Sequence, residues 1–282
     1  MSSDIVLHYL TALGYLGLGT VIWSALYKHV EINKYKPWYS ISLLFLIIIH
    51  GVAIHMTMLH ESHITINWSL GLSFTIWIGL MIYWLESNFI KAYGFLLALL
   101  PIASLVSFLA AIFPPDSDTG VMVIKNNTFL IHLIISLISY SIIAVGALQA
   151  LIMTGLDRHL HRPQDFSKTP SIWGRALDAQ PPLMVQERIL FRLIGIGFVL
   201  MTLAIITGSV VSMNATGAIL PRDHKTFFTL ISWLIFGVLL FGRIMWGWRG
   251  RVSLRWTLVG FGLLMLAYTG TRFIFEVLLH KG

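Results

Sequence analysis

Eight blocks of about 18–26 apolar residues, each carrying few charges, set the strongest limit on how this chain can fold. They run over residues 5–27, 38–59, 68–85, 92–113, 128–153, 189–213, 226–245 and 256–280. Each is long enough to carry a helix across a hydrocarbon core of roughly 30 Å. A membrane-spanning barrel would show short alternating segments instead, whereas Leu43 to Ile49 and Phe198 to Ile206 are apolar on nearly every side. Composition agrees, since 57% hydrophobic against 11% charged residues leaves too much apolar surface for a soluble globule. The expected fold class is all-α: a polytopic membrane helix bundle of about eight transmembrane helices, forming a single integral membrane domain over 1–282.

Charge gives the bundle a direction. Nothing basic precedes the first block and no small-residue cleavage site follows it, so it reads as a retained helix rather than a signal peptide. Lys28, Lys34 and Lys36 come directly after it. With eight spans, that side also collects Lys91, Arg158, Arg162, Lys168, Arg175, Arg188, Arg249, Arg251 and Arg255. The other side receives only Lys125, Arg222, Lys225 and Lys281. The positive-inside bias therefore places both termini outside. The same bias accounts for the net charge of +7 through topology and anionic lipid headgroups, with no nucleic-acid partner required.

The chain has no cysteine, which excludes a disulfide framework, a thiolate metal site, an iron–sulfur cluster and covalent c-type haem attachment. The longest polar stretch, 154–188, contains Pro163, Pro170, Pro181 and Pro182 and reads as a cytoplasmic loop. No phosphate-cradling loop, nucleophile elbow or internal repeat is present, and no catalytic residue is assigned.

The informative residues are the histidines. His29, His159 and His161 fall inside, while His8, His50, His55, His60, His63, His132, His224 and His280 fall in the outer half of the membrane or beyond it. Imidazole is a common ligand of haem iron and transition metals, although a lone histidine at a helix end is more often an interfacial hydrogen-bonding group. His132, Ser136 and Tyr140 recur at steps of four and form one polar stripe on the fifth span. Arg272, Glu276 and His280 do the same on the last, where Arg272 suits a propionate or a structural ion pair with Glu276. His224 opens the seventh span behind Asp223, a candidate N-cap. His50 is followed by Gly51, which permits close approach of a helix or a flat ring. His55, five residues on, is about 140° out of register with it. Trp38, Trp68, Trp246, Trp248 and Trp256 flank spans as an interfacial belt should.

From residue 128 to the end a collinear series of motifs carries a family resemblance. It comprises Leu130-Ile131-His132, Ser139-Tyr140, Pro181-Pro182-Leu183, Leu190-Phe191-Arg192, Thr207-Gly208-Ser209, Asp223-His224-Lys225-Thr226, Ser232-Trp233-Leu234, Gly247-Trp248-Arg249-Gly250-Arg251 and Ala267-Tyr268. This stretch, 128–282, resembles the cytochrome c assembly family of haem-handling membrane proteins, of the CcsA/CcmC type and closest to the HemX/YpjD-like branch. The resemblance implies haem bound at the outer face between histidines that flank a tryptophan-rich segment of the form WGxxWxWD. His132 matches the first of these histidines, and His280 lies near the second. The segment 214–226 has no tryptophan and keeps only Asp223 and Lys225 of that pattern.

The expectation is a haem-binding, multi-pass protein of the bacterial inner (plasma) membrane, acting in cytochrome c biogenesis or haem handling. Its cofactor is haem b, with His132, His224, His280 and His50 as candidate ligands and Arg272 at a propionate. Membrane lipid, haem, and cytochrome c assembly factors or a haem-synthesis enzyme are the expected partners. Two alternatives stand beside it: a permease-like transport subunit, and a non-catalytic scaffold or regulator of haem synthesis.

Overall fold

A computed structural model describes residues 3–28, 30, 32–60, 63–88, 93–114, 122–124, 127–161, 172–221 and 223–267. The helices are α1 (Ser3–Tyr27), α2 (Lys36–Met58), α3 (Trp68–Ser87), α4 (Tyr93–Ile112), α5 (Asn127–Leu160), α6 (Ile172–Asp178), α7 (Leu183–Thr216), α8 (His224–Trp246) and α9 (Arg251–Met265). Among the described residues, seven of these are long and apolar enough to cross a membrane, namely α1 to α5, α7 and α8. The chain is a polytopic helical membrane protein. The eighth expected span, 256–280, begins as α9 five residues earlier than hydropathy suggested, and its remainder lies outside the described residues.

One expectation needs correction. The stretch 154–188 is not one loop: α5 runs on to Leu160, α6 forms within the stretch, and α7 starts at Leu183. A helix of 34 residues is about 51 Å long, so α5 and α7 are longer than the hydrocarbon is thick. Hydropathy marks only the part in lipid. The chain also contains strands, though not spanning ones. Leu59–His60, His63–Ile66 and Met122–Ile124 (β1, β2 and β3) form an antiparallel sheet in the order β1-β2-β3, joining the α2–α3 and α4–α5 connections.

The chain divides into two compact units, one of residues 1–126 and 155–182, the other of 127–154 and 183–282. In the first, α1 packs on α2 and α4, and α3 packs on the same two helices. Arg175 of α6 docks against the end of α1, where its Nη1 donates to the Tyr27 carbonyl at 3.1 Å. That carbonyl is one of those a helix C-terminus leaves unpaired. In the second unit, Ile143, Ala150, Leu190, Ile194, Met201, Phe236, Leu239 and Leu254 form a core contributed by α5, α7, α8 and α9. Ser139 of α5 donates to the Gly197 carbonyl of α7 at 3.0 Å, a contact that needs close backbone approach. A Cβ on Gly197 would lie 2.6 Å from Ile143.

Candidate functional site

The second unit carries two of the candidate histidines within the described residues, His132 and His224. His132 lies in the second turn of α5, half-buried, with its Nδ1 at 3.2 Å from Thr207 Oγ1 of α7 and 3.5 Å from Ser136 Oγ. Thr207 has one hydroxyl proton, which it directs at the backbone of its own helix, toward the Leu203 carbonyl at 2.9 Å and that of Ala204 at 3.2 Å. With that proton turned to its own helix, Thr207 is placed to accept from a protonated His132 Nδ1. The ring also has a hydrogen bond to the Ala204 backbone. One nitrogen held by an outer hydrogen bond is an arrangement shared with metal-ligating histidines.

Space for the ring comes from Gly208. A Cβ at that position would stand 2.9 Å from His132 Cε1 and 3.4 Å from Nδ1. Phe129, one turn earlier on α5, sits tilted against the imidazole at 6.4 Å between centroids. Tyr140, the third member of the stripe, instead packs on Phe261 of α9.

His224 is the exposed first residue of α8, in the same unit. The expected cap is present, with the Asp223 carboxylate accepting from Thr226 N–H at 2.7 Å. The turn before it uses Gly217 at φ 74°, in the left-handed region that favours glycine. Arg272, Glu276 and His280 lie outside the described residues, as does Arg222.

His50 belongs to the first unit and is fully buried. Both of its ring nitrogens are engaged, Nδ1 with the Tyr15 hydroxyl at 3.1 Å and Nε2 with Ser73 Oγ at 2.8 Å. Gly51 does admit a flat ring, since a Cβ there would meet the Trp77 indole at 3.0 Å. His55 is exposed while His50 is buried, as their register required. Sequence reasoning passed over Thr207, Gly208 and Tyr15 as site residues. Thr207 and Gly208 had a signal only as part of a family motif, whereas Tyr15 had a periodic one, because Asp4, His8, Thr11 and Tyr15 repeat on one face of α1 and all four are buried.

Residues 65–279 match the family model described as cytochrome C assembly protein. The chain is 34% identical over 149 residues to an uncharacterised 28.8 kDa protein of Azospirillum brasilense, covering 53% of this chain and 52% of that one. It is 31% identical over 150 residues to the inner membrane protein YpjD of Escherichia coli, covering 53% and 52%. To the cytochrome c biogenesis protein CcsA of Mesostigma viride it is 28% identical over 240 residues, covering 77% and 73%. With CcsA of Synechococcus elongatus the match is 29% over 206 residues, 60% and 63%. The matched region thus spans about half to two thirds of the length of most of these relatives.

Proposed function

The chain belongs to the cytochrome c assembly protein family, and from that membership and the geometry of His132 we propose that it binds haem and acts in cytochrome c biogenesis or haem handling. The observation that carries this reading is the half-buried His132, whose Nδ1 lies 3.2 Å from Thr207 Oγ1 of α7; a proton held there would leave Nε2 as the ligand. The residues fit an iron porphyrin: a half-buried imidazole, a glycine that leaves the ring its place, and an aromatic neighbour. Bound there, haem would supply an iron centre that imidazole nitrogens of this chain could hold. Haem b is the cofactor in this proposal, and the absence of cysteine is consistent with non-covalent binding.

The protein's own part is to hold and orient. Thr207 orients the imidazole and Gly208 keeps it in one position. His224 or His280 is the second ligand in this proposal, and Arg272 neutralises a propionate. The relative named as an inner membrane protein supports a bacterial inner-membrane location. Assembly factors or a haem-synthesis enzyme are the partners this role calls for. The test is the optical spectrum of detergent-purified protein expressed with abundant haem. A Soret band with reduced-minus-oxidised bands is expected, and His132→Ala is expected to diminish both. A colourless wild-type sample would overturn the proposal.

A further inference from the structure

The second unit gathers arginine at one end with almost no acid to meet it. Where α7 starts and where α8 turns into α9 stand Arg188, Arg192, Arg243, Arg249, Arg251 and Arg255, with no lysine among them. The one acid in these segments is Glu187, and Arg243 takes it at 3.0 Å, a contact that brings the start of α7 level with the end of α8. Arg249 and Arg255 are exposed. Their charges oppose the local structure. Arg251 and Arg255 are four residues apart on α9, a spacing at which like charges repel. Arg251 also occupies the first turn, at the positive end of the helix dipole, and that turn has no acidic residue. Gly250, which begins the helix, contributes no side-chain hydrogen bond, and the buried hydroxyl of Ser253 in the same turn has no hydrogen-bond partner. Such an arrangement gains stability when an anion joins it.

The turn that carries Arg249 is firmly built. Gly247 and Gly250 take positive φ of 64° and 59°, and Trp248 N–H returns to the Gly242 carbonyl at 3.2 Å. Trp248 lies so close over Gly242 that a Cβ there would stand 2.5 Å from its ring. The same indole is stacked between Trp246 and Trp256, with centroids 5.8 and 5.6 Å apart and 28° between the planes in each pair. Tryptophans settle at the headgroup level of a bilayer, so this ladder sets the neighbouring guanidinium groups at the depth of lipid phosphate. Arginine meets phosphate through a two-pronged fork that the point charge of lysine does not provide. Ile244 and Met245, 81% and 61% exposed at the end of α8, offer apolar surface beside the charges. Apolar and cationic groups together favour a lipid over an acidic protein surface.

We propose that the α8–α9 turn binds one anionic phospholipid, its phosphate held by Arg249 and Arg255 with Arg251 adding charge, and its acyl chains lying along Trp246 and the exposed end of α8. This is narrower than the surface potential that draws anionic lipid to every basic connection, and it does not depend on haem. The test uses the delipidated full chain in neutral detergent, exposed to phosphatidylglycerol, phosphatidylcholine or inorganic phosphate. Native mass spectrometry counts bound lipid, and the thermal midpoint is read in parallel. One retained phosphatidylglycerol per chain and a raised midpoint are expected, with neither effect from phosphatidylcholine or inorganic phosphate. At about fivefold in affinity for each arginine near a headgroup, Arg249→Gln combined with Arg255→Gln should weaken binding about 25-fold. Without lipid, that double variant should unfold no earlier than wild type, because it relieves repulsion, and this separates lost binding from misfolding. Glutamine at Lys28, Lys34 and Lys36 together should leave retention unchanged. Equal retention of the two lipids, a midpoint raised by phosphate alone, or equal loss in the lysine variant would overturn the proposal. So would a double variant that keeps its lipid, or one less stable than wild type before lipid is added.

Discussion

At His132 the proton on one ring nitrogen decides what the other can do. Thr207→Val removes the hydroxyl 3.2 Å from Nδ1 of the half-buried imidazole, a loss of about 0.5–1.5 kcal/mol in the setting of the site. Weaker haem retention is expected for Thr207→Val and near-wild-type retention for Thr207→Ser, measured as Soret absorbance per protein after repeated washing. Equal retention in both variants would remove Thr207 from the site. Gly208→Ala places a methyl 2.9 Å from Cε1, so the ring must move. Overpacking of this kind costs about 1–3 kcal/mol, and the same absorbance should fall alongside thermal stability. His132 itself was legible in the sequence, because a polar stripe on an apolar helix has a period that can be counted. Thr207 was legible only as part of a motif and not as a partner of His132, since the two are separated by 75 residues and lie on different helices. His50 shows the opposite limit. Its close neighbour at Gly51 was foreseeable, but its commitment to Tyr15 and Ser73 depends on how three helices come together.

Among the elements, the start of α8 is the clearest case of sequence dictating structure. Asp223 precedes an apolar run, its carboxylate accepts from Thr226 N–H, and the helix begins at the residue after it. Asp223→Ala is expected to lower stability by about 0.5–2 kcal/mol, and Asp223→Asn should recover most of that. Thermal unfolding in detergent followed by circular dichroism would read both; an unchanged midpoint in the alanine variant would show that the cap contributes nothing. Span positions were legible for a related reason, because burial in lipid forces unbroken apolar runs. Span lengths were not. Beyond the hydrocarbon, α5 and α7 persist on specific pairs, as where His159 meets Asp178 of α6 at 3.0 Å and Arg243 of α8 meets Glu187 of α7 at 3.0 Å. Arg243 also covers the Phe191 ring at 3.7 Å, which shields that ion pair from water. Such pairs lie among ordinary polar residues and read as loop. The small sheet escaped notice likewise, since β2 finds β3 across more than fifty residues that include two helices.

For the molecule as a whole, the sidedness of the histidines rests on the distribution of lysine and arginine, and this is open to direct chemical test. The chain has no cysteine, so a single introduced thiol is its only reactive one. Leu160 is 55% exposed at the end of α5, on the side assigned to the cytoplasm, and Ile219 is 64% exposed in the turn between α7 and α8, on the side assigned outside. Neither contributes to a site, so Leu160→Cys and Ile219→Cys should leave the fold intact. In right-side-out vesicles a membrane-impermeant maleimide should label Ile219→Cys at once and Leu160→Cys only after the membrane is opened. The reverse pattern would invert the protein and put the ends of α5 and α8 that carry His132 and His224 on the cytoplasmic side. Because the positive-inside rule acts through the loops near each span, a second arm gives the cause. Replacing Lys28, Lys34 and Lys36 with glutamine removes the basic cluster that follows the first span, while Arg158, Arg175 and Arg188 still mark the longer inner segment. Retained labelling at Ile219→Cys would assign orientation to that inner segment, and its loss would assign it to the first connection.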